Sequence, residues 1–337
     1  MTYPVTVFRW DDPGAPQIPN SNPTANDVKA VLKACLITGY GTKAALGWTE
    51  IFDDTLGYVL QNKVSAGGSG GMVRFWPAGG SWTATISTSY STGMLVQSAK
   101  SYSNSSTSFL PSQICMFSPT GGANKSWMLI GTAIGFYLLT GAYHPTTVSN
   151  NFMHNTATVN STHSMYIGDL IDTIPNDAYR FAVIVKNFTS DVGDSSGSSL
   201  GAGIDDISTN LSSGASNTGV RLYEADGGTL STRYGLRFSF APPSSTGFSA
   251  TGQNDLTAAG FAYLTKNTSG SFENNITNKL PEIRGRLPGM LTTMLGEGGN
   301  ITRWPMALRN IGGFNYQLMR SESIVVLVNR WINVVDW

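Results

Sequence analysis

Ionised side chains are scarce in this sequence. Asp, Glu, Lys and Arg together make up 12% of its 337 residues, about half the usual share. The 21 basic and 21 acidic side chains cancel. There is no basic field to attract nucleic acid or an anionic membrane, and no run of like charge that would mark an interaction tail. Ser, Thr, Asn and Gly fill the gap, with 38 glycines. A surface that keeps its solubility through hydroxyls and amides suits a protein working outside a cell.

Cysteine is nearly absent. Two residues, Cys35 and Cys115, do not make a disulfide framework, and both are expected to be buried thiols in apolar runs. The N-terminus, MTYPVTVFRWDDPGAPQIPN, lacks the basic segment and apolar core of a secretory leader. No stretch reaches the ~18 uninterrupted apolar residues of a membrane helix. Together these features predict a chain made in the cytoplasm, suited to the outside, and released by lysis.

An apolar fraction of 41% is enough for a packed core. Val28, Val31, Leu32, Cys35 and Leu36 recur on one helical face, which predicts a helix over 26–38. Thr24 with Asp27 forms a capping-box pattern at its start, and Gly39 supplies a left-handed stop. Elsewhere short β-rich runs succeed one another: ALGWTEIFDD, LGYVLQNKV, MVRFWP, WTATIST, GMLVQSA and QICMFS. SWMLIGTAIGFYLLTGAY is interrupted by Gly131 and Gly135, so it is expected to be two buried strands in a hairpin. The C-terminal part resumes with RYGLRFSF, GFAYLTK, EIRGRL, FNYQLM and SIVVLVNRWINVV. The expected fold is mainly β, with antiparallel sandwich or barrel-like sheets and one short N-terminal helix. The expected organisation is an N-terminal arm and helix over 1–62 and a β region over 63–188. A Ser/Gly-rich loop over 189–219 comes next, then a C-terminal β region over 220–337 packed with the first. The proline-rich residues 11–25 read as an extended arm able to cross to a neighbour.

Motifs that could carry chemistry are few. GYGTK, residues 39–43, has the glycines and lysine of a phosphate loop. Such a loop sits before a helix, where free N–H groups point outward, whereas this one comes after a helix. It is therefore read as a helix stop, with Lys43 favourable beside the negative helix end. His144, His154 and His163 match no zinc spacing. Asp169, Asp172 and Asp177 lie together in GDLIDTIPNDAY, where paired carboxylates could serve glycoside hydrolysis or hold Ca²⁺, but the cluster lacks the DxDxDG spacing of a calcium loop and a polar corner between two strands explains it equally well. Asp205 and Asp206 are read the same way. No nucleophile elbow occurs. Trp10, Trp48, Trp76, Trp82, Trp127, Trp304, Trp331 and Trp337 could stack on sugars if exposed, or fill a β core if buried. Trp337 needs a clamp near its chain end, and a partner subunit is one candidate. No residue is assigned a catalytic, cofactor-binding or metal-ligating role, and no cofactor is expected.

Several segments, in order, resemble one family. They are VTVFRWDDPGAPQIP, VLKACLITGYGTKAALGWT, SWMLIGTAIGFYLL, HSMYIGDLIDTIPNDAYRFAVI, LPGML and SIVVLVNRWINVVDW. This order is similar to that of uncharacterised virion structural proteins of tailed bacteriophages. The corner departs from the family pattern at Ile167, where an aromatic residue is usual, and the chain closes on VVDW. The resemblance implies a non-enzymatic subunit of the tail, collar or capsid surface, assembled in the host cytoplasm. Its partners would be other virion proteins and further copies of itself. The rival expectation is a receptor-recognition protein binding a host surface glycan through exposed aromatics.

Overall fold

The computed structural model describes residues 2–19, 22–86, 93–103, 107–109, 115–117, 126–141 and 163–185. In the C-terminal part it describes 223, 225, 227, 234–238, 259–266, 283–294, 308–319 and 328–337. Three antiparallel sheets and one helix account for these residues, so the chain is mainly β, as its short apolar runs require. Among the described residues the sheets are open and no barrel closes.

The central sheet has the order β1 (Thr6–Arg9), β8 (Ser126–Gly131), β9 (Gly135–Gly141), β10 (His163–Asp169) and β11 (Phe181–Val185). A second sheet runs β2 (Thr49–Asp53), β3 (Tyr58–Gln61), β4 (Met72–Pro77), β5 (Met94–Tyr102) and β6 (Thr107–Phe109), and β7 (Cys115–Phe117) also pairs with β5. The third runs β12 (Tyr234–Phe238), β13 (Ala259–Lys266), β14 (Ile283–Met294), β17 (Val328–Asn333), β16 (Phe314–Met319) and β15 (Arg309–Ile311).

The side chains of the central sheet explain the layering. Phe8, Leu129, Phe136, Met165, Ile167 and Val183 point to one side, into a core shared with the helix and with Leu60, Val73, Phe75 and Val96 of the second sheet. Met128, Ile130, Tyr137, Leu139, Tyr166 and Ile184 point to the other, against Leu287, Met290 and Ile332 of the third sheet. The central sheet is thus covered on both faces. An antiparallel sheet usually alternates apolar and polar side chains because one face is wet. Here both faces are dry, so WMLIG and FYLL read as unbroken apolar runs. The hairpin expected there is present: Gly131 pairs with Phe136, and the Thr132 N–H donates to the Gly135 carbonyl at 2.8 Å.

The helix α1 spans Ala25–Lys33 and buries Ala25, Val28, Val31 and Leu32. Its start is the expected capping box: the Asp27 carboxylate accepts from the Thr24 N–H at 2.6 Å and the Thr24 hydroxyl at 2.8 Å. Its end is wider than expected, because Ala34–Thr38 form a π turn in which the Gly39 N–H donates to the Ala34 carbonyl. The widening frees carbonyls for the next stretch of chain: Leu46 N–H bonds to Cys35, and Gly47 and Trp48 bond to Leu36. Gly39 stops the helix at φ 76°, and a side chain there would meet the Lys43 carbonyl at 2.6 Å.

One local expectation changes. WTATIST was expected to be a strand, but its described residues Trp82–Ile86 form a turn with a single bridge, Thr24 to Thr85. The Trp82 ring is spent beneath the Lys29 ammonium, 4.2 Å from its centroid, and its indole N–H caps the Asp54 carbonyl. The proline-rich segment lies on its own chain. Ile18 is buried, the Pro16 carbonyl accepts from the Trp127 indole, and the Pro23 carbonyl accepts from the Ile86 N–H.

Candidate functional site

The GYGTK segment holds an anion, and that anion is a carboxylate of the same chain. After the helix stop the backbone folds back, with Tyr40 and Lys43 exchanging backbone hydrogen bonds. Both side chains then converge on Asp12 of the DDPG turn. One oxygen of Asp12 accepts from the Lys43 ammonium at 2.5 Å, the Tyr40 hydroxyl at 2.8 Å and the Arg9 N–H at 2.7 Å. Lys43 also donates to the Val7 carbonyl at 2.6 Å. Burial raises the Asp12 pKa, but the Lys43, Tyr40 and Arg9 donors outweigh it, so the carboxyl sits below its ordinary value. Burial and the Asp12 charge push the Tyr40 phenol up, so it stays a donor at neutral pH. Lys43 is thus used differently from the expectation: it neutralises Asp12 rather than the helix end.

The acidic corner between β10 and β11 is a set of three ion pairs. Gly168 and Asp169 end β10 and the chain turns through Asp172 and Asn176, both at positive φ, before Phe181 starts β11. Asp169 is fully buried. Its carboxylate accepts from the Ser69 hydroxyl at 2.5 Å, the Ser69 N–H at 2.7 Å and Arg180 Nε at 3.1 Å. Burial pushes its pKa up, against the pull of Ser69 and Arg180, and the net direction is upward. Arg180 reaches on to the Gly67 carbonyl, which ties the corner to the second sheet.

Asp177 and Arg284 form a pair with no exposed side-chain surface. Both guanidinium NH2 groups bond to the carboxylate, and one also donates to the carbonyls of Tyr179 and Tyr223. Burial lowers the Arg284 pKa to about 10, so the guanidinium stays charged at neutral pH. Its Nε is buried without a hydrogen-bond partner among the described residues. Asp172 pairs with Arg286 at 2.6 Å in a more exposed position, beside backbone bonds between Ile171 and Arg286. Each corner carboxylate therefore fastens one sheet to another: Asp169 to the second, Asp172 and Asp177 to the third. Residue type and spacing pointed to this corner but not to its partners. Ser69, Arg284 and Arg286 lie about a hundred residues away in sequence. The one signal was EIRGRL, which places Arg284 and Arg286 on the same side of a strand.

The remaining candidates that the structure describes do not gather into one site. His144, His154, Asp205, Asp206 and Trp304 lie outside the described residues, as does the 189–219 loop. His163 opens β10 and Cys115 opens β7. Cys35 is a buried free thiol whose pKa is pushed up by burial. Among the described residues, no three His, Cys, Asp or Glu side chains gather as a metal site. Trp48, Trp82, Trp127 and Trp331 are buried, and Trp10, Trp76 and Trp337 are half-buried. Trp76 already carries the Arg74 guanidinium 4.4 Å from its ring centroid. Trp337 is clamped within its own chain: its backbone pairs with Tyr3, its indole N–H caps the Asn333 carbonyl, and its ring meets Tyr137 edge-on at 5.4 Å. Comparison with protein-family models and with curated proteins finds no match to this chain.

Proposed function

We propose that this protein is a non-enzymatic structural subunit of a tailed-phage particle, in the tail, collar or capsid surface, acting through protein–protein contacts. The observation that carries this reading is the fate of the corner carboxylates. Acid–base chemistry needs carboxylates open to a substrate and free to exchange protons. Asp177 is closed in by Arg284, and Asp169 by Ser69 and Arg180, so both serve to join sheets. The charge-poor sequence and the ordered resemblance to virion structural proteins point the same way. Partners are then other virion proteins and further copies of the chain, assembled in the host cytoplasm. Immunogold labelling of purified particles with an antibody to this chain tests the reading. Regular labelling at one place on the particle supports it, and unlabelled particles from a lysate that contains the chain reject it.

A further inference from the structure

The strand β1 is the edge of a sheet whose two faces are already buried, so its outer backbone groups are the place where that sheet could grow. The outward groups belong to every second residue of the strand, and several of them already have partners within the chain. Val5 N–H donates to the Val335 carbonyl at 3.0 Å, and Tyr3 exchanges two bonds with Trp337. Beyond the reach of the C-terminus the occupants change from backbone to side chain. The Val7 carbonyl accepts from Lys43 at 2.6 Å. The Arg9 N–H donates to Asp12 at 2.7 Å and lies 3.1 Å from the Tyr40 hydroxyl. The Arg9 carbonyl accepts from the Asp12 N–H at 3.2 Å.

We propose that Asp12, Tyr40 and Lys43 form an edge guard: they occupy the Val7 carbonyl and the Arg9 N–H on the outer side of β1 and so keep a second copy of this chain from adding its own β1 to the central sheet. The occupant excluded is a second copy because two identical edges in antiparallel register are self-complementary about a two-fold axis. The sequence of β1, TVFR, is rich in the β-branched and aromatic residues that favour pairing. An unguarded edge of this kind is a template for association. The three side chains take the place of a neighbouring strand while contributing no strand edge of their own. This inference concerns the isolated chain and does not depend on the virion reading.

The test is the concentration dependence of mass for the full chain, by sedimentation, in the wild type and in a Tyr40→Phe/Lys43→Met variant. The variant is expected to associate about tenfold more tightly than the wild type, the change that roughly 1.4 kcal/mol of regained backbone pairing gives. Amide exchange at Val7 and Arg9 should slow as the concentration rises. The single Lys43→Met variant, which frees the Val7 carbonyl alone, keeps the test open if the double variant does not fold, with a smaller shift in the same direction. Arg286→Met, which breaks an ion pair away from β1, is the control and should leave association unchanged. A folded double variant with the wild-type association constant overturns the proposal. So does equal association in the Arg286→Met control, which would trace the effect to general loosening.

Discussion

Asp177 and Arg284 are where a single side chain matters most. Removing one member of a buried ion pair leaves the other charge unpaired in a dry site, which costs about 3–5 kcal/mol. Arg284→Met is therefore expected to lower stability by that amount, read as a shift of the urea midpoint at unchanged slope. Asp177→Asn/Arg284→Met should recover much of the loss, because no lone charge remains. Two other carboxylates predict opposite pH responses. The folded chain holds Asp12 below its ordinary value of 3.8. The unfolded chain therefore binds more protons as pH falls through that value, and stability is lost there. Asp169 is held above 3.8, so the folded chain keeps its proton longer. Its contribution falls as pH rises from 3.8 through the raised value. Urea unfolding across the acid range should show Asp12→Asn flattening the limb below 3.8 and Asp169→Asn removing an opposing slope above it. The residues that sequence reasoning reached, Asp169, Asp172 and Asp177, share one short turn. Arg180, the partner of Asp169, lies in the same corner, but Arg284 and Arg286 are joined to Asp177 and Asp172 only by the folded topology, which has no local periodicity to reveal it.

At the scale of elements, the readable features were those set by neighbours in sequence. The capping box of Thr24 and Asp27, the stop at Gly39 and the glycine-broken hairpin after Ser126 each rest on a few adjacent residues. The π turn at Ala34–Thr38 was hidden because helical periodicity does not show that the next stretch of chain, Leu46–Trp48, bonds to the carbonyls of Cys35 and Leu36. WTATIST misled for a similar reason: its alternation fits a strand, but Trp82 is drawn away to Lys29 and Asp54. The strand β14 supports a prediction of its own. Gly289 sits at φ 65°, and a side chain there would come within 2.2 Å of the Trp337 indole. Gly289→Ala should therefore expel Trp337 from its place against Tyr137. The expected cost is about 1–3 kcal/mol, with a red shift in tryptophan emission. An unshifted spectrum and an unchanged melting temperature would contradict this account of the clamp.

For the whole molecule, the consequence of a central sheet shared by two cores is mechanical unity. Leu129 faces the helix and second sheet, and Leu139 faces the third. Leu129→Ala and Leu139→Ala should each cost about 2–5 kcal/mol, and each should shift one common melting transition, seen by calorimetry, rather than split it. The three-layer arrangement was not readable from the sequence, because unbroken apolar runs indicate burial on both faces without saying what covers them. The corner carboxylates hold sheets together, and the proposed virion role assigns contacts with partners to the outer surface. Quantitative mass spectrometry of purified particles is the most direct check. The account predicts the chain in a fixed copy number relative to the other particle proteins, retained through gradient purification and salt washing. Particles that contain none of it, made in cells where the chain is abundant, would contradict the account.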